Sequence, residues 1–308
     1  MKVFYNLEDI GNIEGTAVAL GNFDGIHKGH QALINKAVEL AKEKNLKSAV
    51  FTFTNHPGNV LAGSFAIKNL IYPDEKIKIL ETAGIDYLFS IDFSEYIMSR
   101  PPKEFIDDIL ISKFNIKEAI CGFNYTYGYK AAGTSATLAE YAGVRNVGVN
   151  IIKAVKDEGD VVSSTLIRNL IADGDVERAA RLLGRPYMIR GEIVHGNNLG
   201  GPVLGIPTCN IMPDEQMAVP HKGAYAAEAV IDGERFFGMA NVGKKPTVGS
   251  DKISIETHIF DFDRDVYGKT IEVHFIKLLR DEEKFDSLEA LKNQLEYDKA
   301  TCRKYFGI

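Results

Sequence analysis

Two histidines, His27 and His30, stand three residues apart in the stretch ALGNFDGIHKGHQALI, among the glycines Gly21, Gly25 and Gly29. At the start of a helix, side chains three residues apart point to one side, so both imidazoles can donate hydrogen bonds to one group. Imidazole N–H groups suit phosphate oxygens, and they would stabilise the negative charge that grows on a pyrophosphate leaving group. The spacing therefore predicts phosphate chemistry at this turn.

Two other interpretations of the two histidines stay open. A pair at this spacing can bind zinc, although no third Cys, His or carboxylate follows at the spacing that zinc sites show. A His-x-x-His pair by itself is also common on ordinary protein surfaces. The strand-like run before the pair, the glycines around it and the helix after it favour the phosphate interpretation.

The segments on either side of the turn predict how it is held. The run TAVAL at 16–20 has the apolar character of a buried parallel strand, and apolar residues from Leu33 to Ala41 recur at helical spacing. A helix that begins near Lys28 turns its free N–H groups towards the space above the end of the strand. Because helix N-termini at the carboxyl edge of a parallel sheet attract phosphates, we expect the binding site at this edge.

The first part of the chain alternates strand-like and helix-like segments. This alternation predicts an α/β, Rossmann-like domain, a parallel sheet with right-handed crossovers. The last helix is expected over 165–183, because Gly-Arg-Pro at 184–186 would end it. We therefore place the domain boundary at residue 186, giving domains 1–186 and 187–308. The expected strands of the first domain are 16–20, 48–53, 87–91, 118–123 and 149–155.

From Tyr187 onward, strand-like runs follow one another closely and predict a small antiparallel β-barrel. Asp232-Gly233 predicts a two-residue hairpin turn, and DRDVYGK at 263–269 a longer one. A single helix is expected at the end of the chain, with Asp286 as its cap and Glu289 completing a capping box. Its predicted buried stripe consists of Leu288, Leu291 and Leu295.

The composition limits the classes of function. The chain has 308 residues, of which 45% are apolar and 25% charged, with a formal net charge of −6. This length favours two domains, and the charge is spread without a basic block, which argues against a nucleic-acid partner. Three scattered cysteines fit a reducing compartment, and neither a signal peptide nor a membrane-length apolar run is found. We therefore expect a cytoplasmic protein without a membrane partner. The sequence leaves open whether the chain forms a weak homo-oligomer.

The stretch GNFDGIHKGH resembles the GxFDGxHxGH motif of the bacterial bifunctional riboflavin kinase/FMN adenylyltransferases, the prokaryotic FAD synthetases. That family belongs to the wider HxGH nucleotidylyltransferase superfamily. Further segments are similar to the family in the same order along nearly the whole chain: FTFTNHPGNVL, CGFNYTYGYKAAGT, VVSSTLIRNLIADGDVERAARLLGRPY, and MIRGEIVHGNNLGGPVLGIPTCNI.

The resemblance implies an FMN adenylyltransferase domain over 1–186, in which the two histidines are catalytic. Asn124 would lie beside the nucleotide or the flavin, and Tyr125, Tyr127 and Tyr129 either stack on a ring system or simply pack. His56 matches the family's His-Pro pair and is a further candidate. The ATP-binding set that the resemblance implies is Gly21, Phe23, His27, His30, Asn124, Ser163, Ser164, Thr165 and Arg168.

The resemblance implies a riboflavin kinase domain over 187–308. Thr208 and Asn210 offer hard oxygen donors, and the family uses both for the Mg²⁺ of Mg·ATP. Glu256, in the strand-like run ISIETHIF, would be the catalytic group that accepts the proton of the riboflavin 5′-hydroxyl. The ATP-binding set implied for this domain is Gly196, Gly200, Gly205, Pro207, Thr208 and Asn210.

The expected function is therefore two-step FAD synthesis. Riboflavin and ATP would give FMN and ADP, and then FMN and ATP would give FAD and pyrophosphate. An aminoacyl-tRNA synthetase is one alternative, but it needs a KMSKS-like loop and a basic tRNA-binding module, neither of which is found. The other alternative is a flavin-binding protein that descends from an enzyme and has lost its catalytic activity. The intact set of candidate catalytic residues speaks against it.

Overall fold

A computed structural model describes residues 1–195, 206–247 and 250–308, without the side chains of 245–247 and 250–252. The chain forms two compact units, Met1–Ser164 and Thr165–Ile308. The boundary at residue 186, drawn from the sequence pattern, stays a prediction. No helix in the described ranges has both the length and the apolar character needed to cross a bilayer.

The first unit is built on a six-stranded sheet in which every paired strand is parallel, in the order β1-β4-β3-β2-β5-β8. Short antiparallel pairs, β6 with β7 and β9 with β10, lie outside it. The strands are β1 (Lys2–Phe4), β2 (Thr16–Leu20), β3 (Lys47–Phe53), β4 (Tyr87–Ile91), β5 (Ile116–Gly122), β6 (Thr126–Tyr127), β7 (Gly133–Thr134), β8 (Gly148–Ile152), β9 (Lys156–Asp157) and β10 (Asp160–Val161).

Helices cover this sheet, as the alternating pattern predicts. They are α1 (Lys28–Lys44), α2 (Pro57–Ala62), α3 (Pro73–Thr82), α4 (Glu95–Met98), α5 (Pro102–Glu104), the π-helical Phe105–Ile111, and α6 (Ser135–Gly143). All five predicted strands are confirmed, and two of them, 16–20 and 87–91, have the predicted bounds. Strand β1 was not predicted, because three residues at a sheet edge carry too little periodicity to be read from sequence.

Apolar layers pack on the two faces of the sheet. On one face, Phe89 stacks on Phe114 with ring centroids 4.1 Å apart, and Phe51 contacts Phe114 at 5.1 Å. On the other face, the apolar stripe of α1 packs on the alanines of β2. Because all five residues of β2 are buried, the strand that precedes the histidine turn is fixed from both sides.

The second unit begins with two helices where one was predicted. Helix α7 spans Ser164–Ala172, and α8 spans Val176–Leu183. The expected single helix over 165–183 is therefore wrong. Gly174 has a φ of 84°, which ends the first helix in the left-handed region, and Asp175 restarts the next by accepting a hydrogen bond from Arg178 N at 3.0 Å.

A six-stranded antiparallel sheet follows, in the order β11-β16-β13-β14-β15-β12. Its outer strands approach each other through a bridge in which Val194 N donates to Asn210 O at 2.9 Å, so the sheet curls into the predicted barrel. Its strands are β11 (Tyr187–Glu192), β12 (Cys209–Ile211), β13 (Gly223–Ile231), β14 (Glu234–Thr247), β15 (Ser250–Ile259) and β16 (Thr270–Asp281), followed by helix α9 (Leu288–Phe306).

The local predictions for this unit have mixed outcomes. The hairpin at Asp232-Gly233 is confirmed, with φ values of 53° and 83° as a type I′ turn requires. The longer hairpin at 263–269 is wrong: β15 pairs with β14 and β12, so this segment crosses to β16 instead. The cap of α9 is Ser287, which accepts from Ala290 N at 3.1 Å, rather than Asp286.

The start of α9 is also less buried than predicted. Leu288 is 57% exposed, so it does not belong to a buried stripe. Leu295 packs against a small cluster that includes Phe260 and Cys302, so the stripe begins only further along the helix.

Candidate active sites

The histidine turn lies at the topological switch point of the parallel sheet. The chain leaves β2 through α1 towards β3, while β5 pairs with the other side of β2, with Leu20 opposite Cys121. Ligands of open α/β sheets bind where the strand order reverses, at the carboxyl ends of the strands. Gly21 and Gly122 are the next residues along these two strands, so the structure brings the predicted Gly21 and the loop of Asn124 to one edge.

A strained backbone leads from β2 to α1. Phe23 and Ile26 are fully buried although their φ values are 49° and 43°, a region that such side chains rarely adopt. A Cβ atom at Gly21 would lie 3.2 Å from the Phe23 ring, and one at Gly29 would lie 3.0 Å from Cε1 of His27. The two glycines thus leave room for aromatic side chains that the buried turn holds against the backbone.

The two imidazoles stack, with centroids 3.7 Å apart and 15° between their planes. His27 is the N-cap of α1, and its Nδ1 accepts a hydrogen bond from His30 N at 3.3 Å. Burial lowers the pKa of His27 to about 4, so the ring is neutral at pH 7. Since Nδ1 is the acceptor, the proton of this neutral ring is on Nε2, which can donate to a ligand.

His30 shares this environment. Burial, with smaller contributions from His27 and Lys76, lowers its pKa well below the usual value. Its Nδ1 is buried and makes no hydrogen bond to any described group. Buried polar atoms are normally satisfied, so this nitrogen points to a missing partner. The pair therefore consists of two neutral imidazoles, and Nδ1 of His30 has no hydrogen-bond partner among the described residues. No cluster of three or more His, Cys, Asp or Glu suited to a metal occurs among the described residues.

Asp24 and Lys76 stand next to the turn. The Asp24 carboxylate accepts from Leu70 N at 2.8 Å, and Lys76 Nζ lies 3.5 Å from Asn22 O. Burial lowers the pKa of Lys76, and the negative charge of Asp24 opposes that change. Both side chains line a pocket at the carboxyl ends of β3 and β4, together with His56 and Phe53. Neither charged residue was singled out from the sequence; Asp24 was visible inside the GNFDG motif, whereas no motif marked Lys76.

The serine segment meets the histidine turn within the first unit. Ser164 Oγ donates to Asp24 O at 2.9 Å, and Val162 O lies 3.7 Å from a Cβ atom built on Gly29. The predicted Ser163 and Ser164 therefore lie beside the turn. Thr165 and Arg168 lie on α7 in the second unit.

The tyrosines near Asn124 differ in their surroundings. Tyr127 is buried, contacts Phe105 at 5.6 Å and stacks on Tyr125 at 5.8 Å. Tyr129 is exposed, and Asn124 is exposed as well. Tyr127 thus belongs to the apolar core, in agreement with the packing interpretation.

His56, the weaker sequence candidate, begins α2 as its N-cap. Its Nδ1 accepts from Gly58 N at 3.1 Å. The imidazole therefore has a structural partner in addition to its place in the pocket wall.

In the second unit, the candidate kinase residues meet on neighbouring strands. Asn210 on β12 and Asn241 on β14 both lie directly opposite Glu256 on β15. Directly opposite residues in an antiparallel sheet have Cβ atoms about 5 Å apart on one face, so Glu256 lies between two amides. Asn210 Nδ2 is 3.2 Å from Thr208 Oγ1. Asn241 was not singled out from the sequence.

The surroundings of this site are ordered by His258. Its Nδ1 lies 2.8 Å from Pro207 O, and burial lowers its pKa, so a neutral ring donates to this carbonyl. That bond holds the segment before Thr208 against β15. The predicted glycines Gly196, Gly200 and Gly205 lie outside the described residues.

The fold and these sites define a two-unit transferase that uses nucleotides: a Rossmann-like sheet with paired imidazoles at its switch point, and a curled antiparallel sheet with oxygen donors beside a carboxylate. Family models for FAD synthetase and riboflavin kinase match residues 9–166 and 183–306. The chain belongs to the family of bifunctional riboflavin kinase/FMN adenylyltransferases. The family and the role in FAD biosynthesis predicted from the motifs are therefore confirmed.

Individual relatives support this assignment. The Bacillus subtilis bifunctional riboflavin kinase/FMN adenylyltransferase is 38% identical over 95% of this chain and 93% of its own. The Listeria monocytogenes protein of the same name is 36% identical over 100% and 99%. A Streptococcus pneumoniae crystal structure described as a macrolide-efflux protein has a TM-score of 0.90 and 36% identity, covering 98% of both chains. The efflux description belongs to that neighbour alone.

Proposed function

We propose that this chain phosphorylates riboflavin to FMN in its second unit and transfers an adenylyl group from ATP to FMN in its first, giving FAD and pyrophosphate. The observation that supports the first unit's role most directly is the neutral, stacked imidazole pair at a helix N-terminus. The proposal for the second unit rests on Glu256 lying across from Asn210, next to Thr208.

Adenylyl transfer needs positioning more than proton chemistry. A phosphate oxygen of FMN attacks the α-phosphorus of ATP, and the bond to the departing pyrophosphate breaks in line. His27 Nε2–H and His30 donate hydrogen bonds to the triphosphate, since a neutral imidazole keeps one N–H group for this purpose. The free N–H groups at the start of α1 act in the same direction. Gly21, Phe23, Asn124, Ser163 and Ser164 complete the part of the proposed ATP-binding set that lies in the first unit.

Phosphorylation of riboflavin requires its 5′-hydroxyl to attack the γ-phosphorus of ATP. Glu256 orients this hydroxyl and accepts its proton late, because a carboxylate is too weak a base to ionise an alcohol beforehand. Asn210 and Asn241 lie directly opposite Glu256 on the two neighbouring strands, so all three side chains are on the same face of the sheet. Gly196, Gly200, Gly205 and Pro207 belong to the proposed ATP-binding segment.

Thr208 and Asn210 would hold the Mg²⁺ of Mg·ATP. Each side chain offers an oxygen donor, and Asn210 Nδ2 donates a hydrogen bond to Thr208 Oγ1 at 3.2 Å, which places the two side chains next to each other. The hydroxyl oxygen of Thr208 and the amide oxygen of Asn210 are hard donors of the kind that Mg²⁺ takes, so the donor set fits the group. When bound, Mg²⁺ would neutralise phosphate charge.

The test supplies the purified chain with riboflavin, ATP and Mg²⁺ and separates the flavins by chromatography. Both FMN and FAD should form. Glu256→Gln should lower FMN formation by about 10²-fold or more, as expected for loss of a general base, while FAD formation from added FMN persists. His27→Ala with His30→Ala should have the opposite selectivity. If either variant loses both activities while folded, the division of labour between the units is wrong.

A further inference from the structure

Lys76 is a half-buried cation of the first unit that the proposed mechanism does not use. It lies on α3, and its Nζ is 3.5 Å from Asn22 O, in the loop between β2 and the histidines. It lines the pocket at the carboxyl ends of β3 and β4 together with Asp24 of the same loop. Of the described residues that line this pocket, Lys76 alone is a lysine or arginine.

The chemistry at this edge needs a positive charge. FMN brings a phosphate dianion towards the already anionic phosphates of ATP, and two such groups repel strongly where water is excluded. The imidazoles supply hydrogen bonds but no charge, because burial keeps both neutral at pH 7. The charge of Lys76 lies close enough to His30 to contribute to its lowered pKa. Burial lowers the pKa of Lys76, and the negative charge of Asp24 opposes this change and favours the ammonium form.

The pocket wall indicates which substrate Lys76 faces. Apolar side chains of Phe53, Ile71 and Leu88 share the lining with it, whereas neither His27 nor His30 is part of that wall. A triphosphate is charged along its whole length and gains nothing from contact with apolar walls. An acceptor that carries a large ring and a terminal phosphate can bury the ring against them. Because Lys76 lines this wall and also lies near His30, its ammonium would meet the acceptor's phosphate where it approaches the nucleotide.

We propose that Lys76 binds the phosphate of FMN in the adenylyltransferase site and holds it against the α-phosphorus of ATP. This assignment rests on the proposed adenylyl transfer. The ammonium keeps its three protons throughout. A bond forms between the FMN phosphate oxygen and the α-phosphorus, and the bond from that phosphorus to the bridging oxygen breaks. Pyrophosphate leaves with the electron pair, so no further reactant is needed.

The experiment compares Lys76→Met with Lys76→Arg and with Lys78→Met, an exposed lysine on the same helix. Initial rates of FAD formation are measured against FMN and against ATP separately, and riboflavin phosphorylation is followed in each variant. Lys76→Met removes a charged hydrogen bond to the FMN phosphate, so it should lower kcat/KM for FMN by roughly 10- to 100-fold. The KM for ATP and the kinase rate should change less than about twofold, and Lys78→Met should resemble the wild type.

Each outcome decides the question. Partial recovery of kcat/KM for FMN in Lys76→Arg supports a role for the charge. If Lys76→Met loses all adenylyl transfer, Lys76→Arg is the variant that decides. An unchanged kcat/KM for FMN in Lys76→Met overturns the inference, as does a change confined to the KM for ATP or a failure of Lys76→Arg to recover. The wild-type enzyme separates this result from the function itself: if it makes no FAD from FMN, the proposed function fails rather than the role of Lys76.

Discussion

The buried imidazole of His27 should make the first unit sensitive to acid. Its pKa falls from an ordinary 6.5 to about 4 because the ring is buried. The unfolded chain therefore takes up a proton as the pH drops below 6.5, while the folded chain does not until about pH 4. Stability is unaffected above pH 6.5 and is lost progressively between these two values.

The size of this loss follows from the two pKa values. At about pH 5, the extra protonation of the unfolded chain lowers the free energy of unfolding by about 2 kcal/mol for this one group. His30 contributes in the same direction, because burial lowers its pKa too. His27→Asn removes the titrating ring but keeps an oxygen that can accept from His30 N at the helix N-cap. Between neutral pH and about pH 5, the free energy of unfolding of the variant should therefore fall by about 2 kcal/mol less than that of the wild type.

Two measurements test this reasoning. Proton NMR of the imidazole C–H groups should place the titration of His27 near pH 4. Hydrogen exchange of the α1 amides, corrected for the intrinsic effect of pH on exchange, gives the free energy of opening of this helix in the wild type and in His27→Asn. His221→Asn, a change at a partly exposed histidine of the second unit, is the control and should leave the acid loss unaltered. Titration of His27 near 6.5, or equal acid losses in the wild type and His27→Asn, would refute the argument.

Three further predictions concern the glycine of the turn, the metal donors and a buried ion pair. Gly29→Ala places a methyl group 3.0 Å from the His27 ring, so adenylyl transfer should fall about 10-fold or more in a rate assay while riboflavin phosphorylation is unchanged. Thr208→Val should raise the Mg²⁺ concentration at half-maximal kinase rate, whereas Thr208→Ser should not; equal behaviour would remove Thr208 from the metal site. Arg280→Met leaves the 2% exposed Asp298 without its bidentate partner, so urea unfolding of the second unit should show a loss of about 3 kcal/mol. Arg303→Met, at an exposed ion pair, should cost less than about 1 kcal/mol, and similar losses would contradict the burial argument.

The sequence alone predicted the features that repeat or that backbone chemistry restricts. Compact apolar runs marked the buried parallel strands, since a strand covered on both faces has no polar side. Asp232-Gly233 specified its turn because both residues adopt positive φ. The histidine and Pro-Thr-x-Asn motifs identified the family, and with it the chemistry of both units.

Local pattern failed where two local preferences competed. Asp173-Gly174-Asp175 broke a helix that the apolar spacing alone would continue, because a left-handed glycine and a new cap together outweigh the periodicity. Ser287 took the cap that Asp286 was expected to provide, and the boundary of α9 moved by one residue with it. β15 pairs with β14 and β12 rather than with β16, and this choice among strands distant in sequence is not encoded in the segment 263–269.

The sequence by itself determined which side chains could carry phosphate chemistry and the order of the two units along the chain. Only the tertiary structure decided the protonation state of these side chains and which residues lie next to them. Burial makes the imidazoles neutral. The strand register places Asn241 beside Glu256, and α3 brings Lys76 to the loop of Asn22. These properties arise between residues distant in sequence, such as Asn22 and Lys76. Charge and proximity there depend on desolvation and packing, which no local pattern encodes.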